Sequence, residues 1–426
     1  MILIYAHTST KRLQYICKFI LKEQLGIAYS LTIDAEGFKK HEGPKINYSK
    51  TKFDSSFNLL AHEILFEKNI KEQPVTCFEA NGYKAFFKNE TGDFPFDIFA
   101  ASFYLISRYE EYLPHQKDMY NRYAHENSLA FKEGFLDIPL VNIWLHDFLK
   151  ELKAAFPTME YELPKFKFLP TYDIDIAWSY KHKGLLRNIG GFIKKPSVER
   201  WSVLTGLKKD PFNCYDYLNE LHREHNLEPI YFFLVATSKN NYDKNISPFA
   251  NAMWQLIREH AKKYDIGLHP SWKSNENAAL LKKERKIIED ASRVHVGRSR
   301  QHYIKFNLPD TMEKLVEAGI EHDYSMGYGS INGFRASVAS SFYWYNLKKE
   351  TISRLMMHPF CFMDANSYYE QKLNAADAYK EIIYYYEQCE KINGTFITIF
   401  HNNFLGTDKQ YARWKEMYSH FISQLQ

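Results

Sequence analysis

The chain has 426 residues, 45% of them hydrophobic and 25% charged, with a formal net charge of +4. Its 16% aromatic content excludes a disordered chain, and 18 Gly with 15 Pro are too few for a collagen-like, linker-rich or low-complexity one. At roughly 150 residues per domain the length predicts two or three domains, with cores large enough to need no disulfide or metal staple.

No apolar run approaches the ~18 residues needed to span a bilayer. The first residues, MILIYAHTSTKR, have no basic segment ahead of their apolar stretch. They read as a first β-strand rather than a secretory leader. The five cysteines are far apart and form no CxxC, so free thiols in a cytoplasmic, reducing compartment are expected. No base-reading motif is present, which argues against a nucleic-acid partner. Charge is unevenly spread. Residues 181–209 hold eight Lys/Arg against one acid, Glu199, on an otherwise slightly acidic chain. Such a stretch suits a solvated surface, an anionic substrate or peripheral contact with an anionic membrane surface.

In chain order, residues 1–34 read strand, helix, strand, with the helix at 13–25. Residues 45–90 hold short alternating segments such as VTCFEA and YKAFF, parted by Asn-Gly. A long apolar helix is predicted over 97–112 and an amphipathic one over 139–156. Pro157 and Pro164 bracket a linker, which sets a domain boundary near residue 160 (1–160 and 161–426). Beyond it, short apolar strands alternate with helices. The strands are KFLPTYDID, PIYFFLVA, YDIGLH, SRQHYIKF, IEHDYS, GFRAS, RLMMHPF and TFITIFH. The helices fall at 213–226, 248–264, 276–292, 309–318, 374–392 and 408–424. This alternation predicts an α/β fold: a distorted (β/α) barrel of seven or eight strands preceded by a smaller α/β domain.

The polar residues cluster at strand ends, where a β/α barrel places its chemistry. They are Asp173, Asp175, His269, Arg300, His302, Asp323, Arg335, His358 and His401. Asp173 and Asp175 are two apart, so both can face one side. A divalent ion on one leaves the other free as a base. His269, in GLHPSW, is a candidate metal ligand. Arg300 could hold a carboxylate ionised through a bidentate pair. His401 suits a general acid or base. His358 and Asp364 fit a structural role, a supporting partner or a substrate contact. Trp178, Trp272 and Tyr328 are candidate sugar platforms as well as core residues. The absence of GxSxG, Walker, GxGxxG and HExxH patterns argues against elbow-serine hydrolases, nucleotide-triphosphate enzymes and common zincins.

TYDID resembles the first motif of the NodB-homology polysaccharide deacetylases, carbohydrate esterase family 4. GLHPS resembles the second, SRQHY sits where the third falls, and ITIFHN resembles the fifth. The nearest likeness is to a divergent bacterial branch with an extra amino-terminal α/β domain. The resemblance implies Asp173 as base, Asp175 and His269 as metal ligands, Arg300 as the orienting arginine and His401 as acid. It further implies a divalent metal, zinc first, and removal of acetyl groups from an N- or O-acetylated saccharide or glycan precursor. One departure stands out. The family's second motif has another histidine four residues on, and here that position is Lys273. His302 is the expected replacement ligand, with His358 second. The substitution also admits an inactive glycan-binding or scaffold protein. A cytoplasmic nucleotide-sugar or lipid-linked intermediate is a further substrate class.

Overall fold

The computed structural model describes residues 1–184, 188, 190–191, 193, 197–238 and 240–425. Arg187, Lys194 and Lys195 of the basic stretch lie outside the described residues.

The first sixty residues build a parallel sheet of four strands, β1 (Ile2–Tyr5), β2 (Tyr29–Thr32), β3 (Lys45–Ser49) and β4 (Phe57–Leu60), in the order β2-β1-β3-β4. The helix Lys11–Cys17 joins β1 to β2, and the Thr10 side chain caps it by accepting the Leu13 N–H. The Asn-Gly signal becomes the antiparallel hairpin β5 (Phe78–Ala80) and β6 (Tyr83–Ala85). Asn81 and Gly82 both have positive φ, as a two-residue hairpin turn requires.

The helix expected over 97–112 stops early. Asp97 caps it, it runs Ile98–Ile106, and a short 3-10 turn, Tyr109–Tyr112, follows. Arg108 between them is left-handed, with φ 55. That turn lets its guanidinium reach Glu111 at 2.7 Å and Glu110 at 2.8 Å. Periodicity could not anticipate a break caused by two buried ion pairs. The second helix, Leu140–Ala155, matches its prediction closely and buries Val141, Leu145, Phe148, Leu149 and Leu152.

The rest of the chain is organised on one nine-stranded sheet. Its strands are β7 (Lys167–Ile174), β8 (Ile230–Leu234), β9 (Asp265–His269), β10 (Arg298–Ser299), β11 (His322–Asp323), β12 (Phe342–Asn346), β13 (Thr351–Met357), β14 (Phe362–Met363) and β15 (Thr395–His401). The order is β12-β13-β11-β10-β9-β8-β7-β15-β14, and every pair is parallel except β12 with β13. Helices lie at Tyr215–Glu224, Asn251–Ala261, Ala278–Ser292, Asp310–Glu317, Ala375–Lys391 and Trp414–Ser423, each inside its predicted window.

Three strand expectations change. SRQHYIKF is extended only over Arg298–Ser299, then turns through His302–Ile304 with Tyr303 and Ile304 at positive φ. GFRAS is not a strand, because Arg335 is drawn out of register toward Glu111 and the Gly327 carbonyl. Its Gly333, at φ 140, lets the backbone pass where a Cβ would lie 2.8 Å from the Leu136 carbonyl oxygen. The two edge strands, antiparallel β12 and the two-residue β14, have no counterpart in the prediction.

The two sheets share a continuous apolar core. Polar contacts also join the parts: Tyr15 Oη donates to the Tyr343 carbonyl, and Val141 N–H donates to the Ser337 carbonyl. All five cysteines are unpaired. No helix of the described residues is long and apolar enough to cross a membrane.

Candidate metal centre and its cavity

The carboxyl ends of β7, β9 and β15 and the turn after β10 meet at one cavity of about 450 Å³. Asp173 and Asp175 leave the end of β7 two residues apart. The first is only 2% exposed, while the second opens toward the cavity. Arg300, fully buried, donates from Nη1 to Asp173 Oδ1 at 2.9 Å and from Nε to the Tyr324 carbonyl. The guanidinium therefore arrives pre-aimed at the carboxylate, with its face over the Phe232 ring.

Asp175, His269 and His302 form a cluster whose ligand atoms all lie within 4.8 Å of one another. The orientation of each imidazole is set from behind. His269 Nδ1 is 2.6 Å from the Arg300 carbonyl, to which it donates, and His302 Nδ1 is 3.1 Å from Asp243 Oδ1. Both Nε2 atoms therefore turn toward Asp175, at 3.1 Å for His269 and 3.4 Å for His302. Asp175 Oδ1 is buried with no hydrogen-bond partner. Two Nε2 atoms and a carboxylate facing one another across such distances, each ring held by a carbonyl or carboxylate, are an arrangement that could hold a cation.

The electrostatics agree. Burial alone would raise the Asp175 carboxyl, yet positive charge at His302 and His269 holds it well below the usual range. His302 is pushed up to about 9, because Asp175 and Asp243 outweigh the opposing effect of burial. A pocket that draws protons onto imidazole this strongly suits a divalent ion bound by one carboxylate and two histidines.

His401 stands across the cavity at the end of β15. Asp364 accepts both its Nδ1–H, at 2.6 Å, and its backbone N–H, at 2.7 Å. Its Nε2 points inward, 3.5 Å from Asp175 Oδ2. Burial would lower its pKa, but Asp364, then Asp175 and Asp173, raise it to about 10. The shift favours the imidazolium, whose Nε2 faces the cavity.

Six of the nine strand-end residues thus converge: Asp173, Asp175, His269, Arg300, His302 and His401. The other three do not. Asp323 accepts from Ser299 and Ser325 within the sheet. Arg335 is spent on Glu111. His358, the second choice as ligand, bonds Ser341 at 2.7 Å and His322 at 2.9 Å, and burial lowers it to about 3. Lys273 is exposed and lies outside the donor cluster. Of the proposed platforms, Trp178 and Tyr328 are buried, while Trp272 stacks on Tyr242 at 3.8 Å beside the cavity.

Two contributions were missed from the sequence. Asp243 lies in a polar loop after β8, and only the spatial approach of His302 reveals it. Tyr120 and Arg122 come from the polar stretch 115–128 of the amino-terminal part. Tyr120 packs on Tyr303 at 5.2 Å and on Trp272 at 6.2 Å. Arg122 donates from Nη1 to the Tyr303 carbonyl at 2.5 Å. Gly329 makes room for this crossing, since a Cβ there would lie 2.8 Å from the same carbonyl oxygen.

A family model, described as a family of unknown function (DUF7033), matches residues 2–157. No curated protein matches the chain. Among solved structures, a protein from Mycobacterium smegmatis assigned as a polysaccharide deacetylase is 14% identical, with 61% of this chain and 85% of that one covered and a TM-score of 0.40. The polysaccharide deacetylase of Bacillus cereus is 11% identical over 61% and 88%, with a TM-score of 0.32. A CE4 family pseudoenzyme from Bacillus anthracis is 9% identical over 61% and 62%, also at 0.32. With identities and TM-scores this low, what the chain does has to follow from its own side chains.

Proposed function

We propose that this protein is a metal-dependent hydrolase that removes acetyl groups from an N- or O-acetylated saccharide or glycan precursor. The observation that carries the reading is the pairing of Asp173, held by Arg300, with the Asp175–His269–His302 donor cluster, opposite His401, whose Nδ1 is held by Asp364. The cavity, about 450 Å³, is within the usual range for a small-molecule site.

Asp175, His269 and His302 are the residues that would hold the ion, and zinc would suit their two nitrogens and one carboxylate. When bound, it supplies Lewis-acid polarisation of the acyl oxygen and lowers the pKa of water. The remaining steps belong to the chain. Asp173 accepts the proton of the attacking water. Arg300 keeps that carboxylate fixed toward the reacting carbonyl. His401 gives its Nε2 proton to the leaving amine, or to the alkoxide of an ester. Asp364 holds the ring and stabilises its charge until that transfer. Water is consumed, and acetate and the deacetylated saccharide leave.

In this reading the nine-stranded sheet is a distorted barrel spanning 161–426, and residues 1–160 are a separate α/β domain that supplies the Tyr120–Arg122 wall. The test is acetate release from acetylated chito-oligosaccharides and O-acetylated sugars by zinc-loaded protein. Asp173→Asn should abolish release while zinc remains bound. Full activity in that variant removes Asp173 as base. Stoichiometric zinc with no acetate from any such substrate supports a glycan-binding protein instead.

A further inference from the structure

The turn that carries His302 is held in a conformation its own residues disfavour. Tyr303 and Ile304 follow the histidine with φ of 59 and 53. Among the described residues no other two consecutive non-glycine positions are left-handed, and Ile304 is the only β-branched residue so placed. The Cβ of an L-residue crowds its own backbone there, and a β-branched one most of all. Such backbone persists only where the surroundings over-determine it. Here both ends of the turn are fixed within the large sheet's own loops: the Gln301 N–H donates to Ser325 Oγ, and Asn275 donates to the Lys305 carbonyl. The middle is held from the amino-terminal part. Lys117 and Tyr123 bridge a short hairpin, and Asp118 closes it by accepting the Tyr120 and Arg122 N–H groups at 2.9 Å each. Asp118 also fixes the guanidinium, accepting from Nε at 2.6 Å. Nη1 is thereby delivered to the Tyr303 carbonyl, and Arg122 is 4% exposed. Asn307, just past the turn, donates to the Asn121 carbonyl at 3.2 Å. Tyr120, at the hairpin tip, lies against one ring from each loop of the centre: Tyr242 beside Asp243, Trp272 after His269 and Tyr303 after His302.

We infer that Arg122 is a positioning residue for His302: by holding the Tyr303 carbonyl it keeps the left-handed turn that aims the imidazole at Asp175, so that the amino-terminal part sets how tightly the donor cluster takes a divalent ion. The inference rests on the reading of that cluster as a cation site. The Arg122 side chain bonds Asp118 and Tyr303 rather than any donor atom, so its effect passes through the backbone. Without that bond the two left-handed residues relax toward negative φ, and the peptide bearing His302 turns with them. A ligand carried on a turn needs this support more than one on a strand or helix, because a small rotation moves its Nε2 out of reach.

Binding of zinc alone to the full chain, in competition with a chromophoric chelator, tests this. Arg122→Ala should weaken zinc binding by about ten- to a hundredfold. Gly329→Ala should do the same with the arginine still present, because a Cβ at 329 would collide with Arg122 Nη1 and lie 2.8 Å from the Tyr303 carbonyl oxygen. Cobalt(II) in place of zinc gives a readout that a general loss of stability does not move. The visible spectrum of Arg122→Ala should match that of His302→Ala, with one nitrogen ligand fewer than the wild-type chain. Wild-type zinc affinity, or the wild-type cobalt spectrum, in Arg122→Ala overturns the inference and leaves the cation site standing. Loss confined to Arg122→Ala, with Gly329→Ala at wild-type affinity, shows that the bond to Tyr303 is not the cause and overturns it too. A wild-type chain that binds neither zinc nor cobalt overturns the cation-site reading, and the inference with it.

Discussion

Glu111 and Arg335 meet in a two-pronged ion pair, Nε to Oε1 at 2.8 Å and Nη2 to Oε2 at 2.6 Å, with both side chains buried. One comes from SRYEEYLP and the other from GFRAS, so the bond ties the amino-terminal part to the connection between β11 and β12. Arg108 pairs with the same glutamate, and Arg335 lies over the Phe306 ring. Replacing one partner leaves the other charged and buried. Glu111→Gln or Arg335→Met should therefore destabilise the chain by about 3–5 kcal/mol in urea unfolding, with the double variant costing less than the sum.

The same carboxylate governs acid sensitivity. Burial would raise Glu111, but Arg335 and Arg108 hold it at about 2, below its ordinary value of 4.5. The native state releases this proton more readily than the unfolded chain. Its stabilisation, about 3 kcal/mol, is complete above pH ~4.5 and lost as pH falls toward ~2. Unfolding curves between these limits should steepen with acidity, and less so in Glu111→Gln.

Glu284 has the opposite sign. It is buried beneath the His269 loop, accepts the Ser271 N–H at 3.0 Å, and leaves its other oxygen without a partner. Burial raises it from 4.5 to about 7. The folded chain keeps this proton where the unfolded one has lost it. Stability is then highest below pH ~4.5 and falls by about 3 kcal/mol as pH rises to ~7. Glu284→Gln should flatten that decline. An unchanged slope would show that the carboxyl ionises normally.

Asp243 aims His302 from behind. Asp243→Asn keeps an acceptor for the Trp272 N–H but removes the charge facing the imidazole. Zinc affinity, measured by competition with a chromophoric chelator, should drop by about ten- to a hundredfold. His302→Ala should lose more, and His358→Ala nothing.

Tyr120 reaches the cavity from the amino-terminal part and touches Tyr303 and Trp272 but none of the donor atoms. In Tyr120→Ala, KM for an acetylated saccharide should rise by about two- to tenfold with kcat nearly constant. A fall in kcat alone would show that the wall acts on the reacting atoms instead.

The sequence disclosed those parts of the site that sit on regular strands. Asp173, Asp175, His269 and His401 are at strand ends bounded by clear apolar runs, so their convergence followed from the alternation of strands and helices. Arg300 and His302 reach the cavity too, but from a strand that ends at Ser299; the turn at Tyr303 and Ile304 answers to Arg122 from far away in the chain. Asp243, Tyr120 and the Glu111–Arg335 pair were hidden for the same reason. Their positions are fixed by partners distant in sequence, and periodicity records only local order. Helix windows after residue 165 were legible because amphipathic spacing is a local signal.

The three donor residues come from three separate stretches: the end of β7, the end of β9 and the turn beyond β10. Two histidines one helical turn apart would be assembled as soon as that helix formed. Here no two donors are neighbours until β7, β8, β9 and β10 are paired in register. An ion held by these three residues would recognise only a chain whose central sheet is already complete, so its binding would come late in folding. Its free energy should accordingly be withdrawn in the global unfolding step rather than in any local opening, and a chelator should shift the whole transition as one.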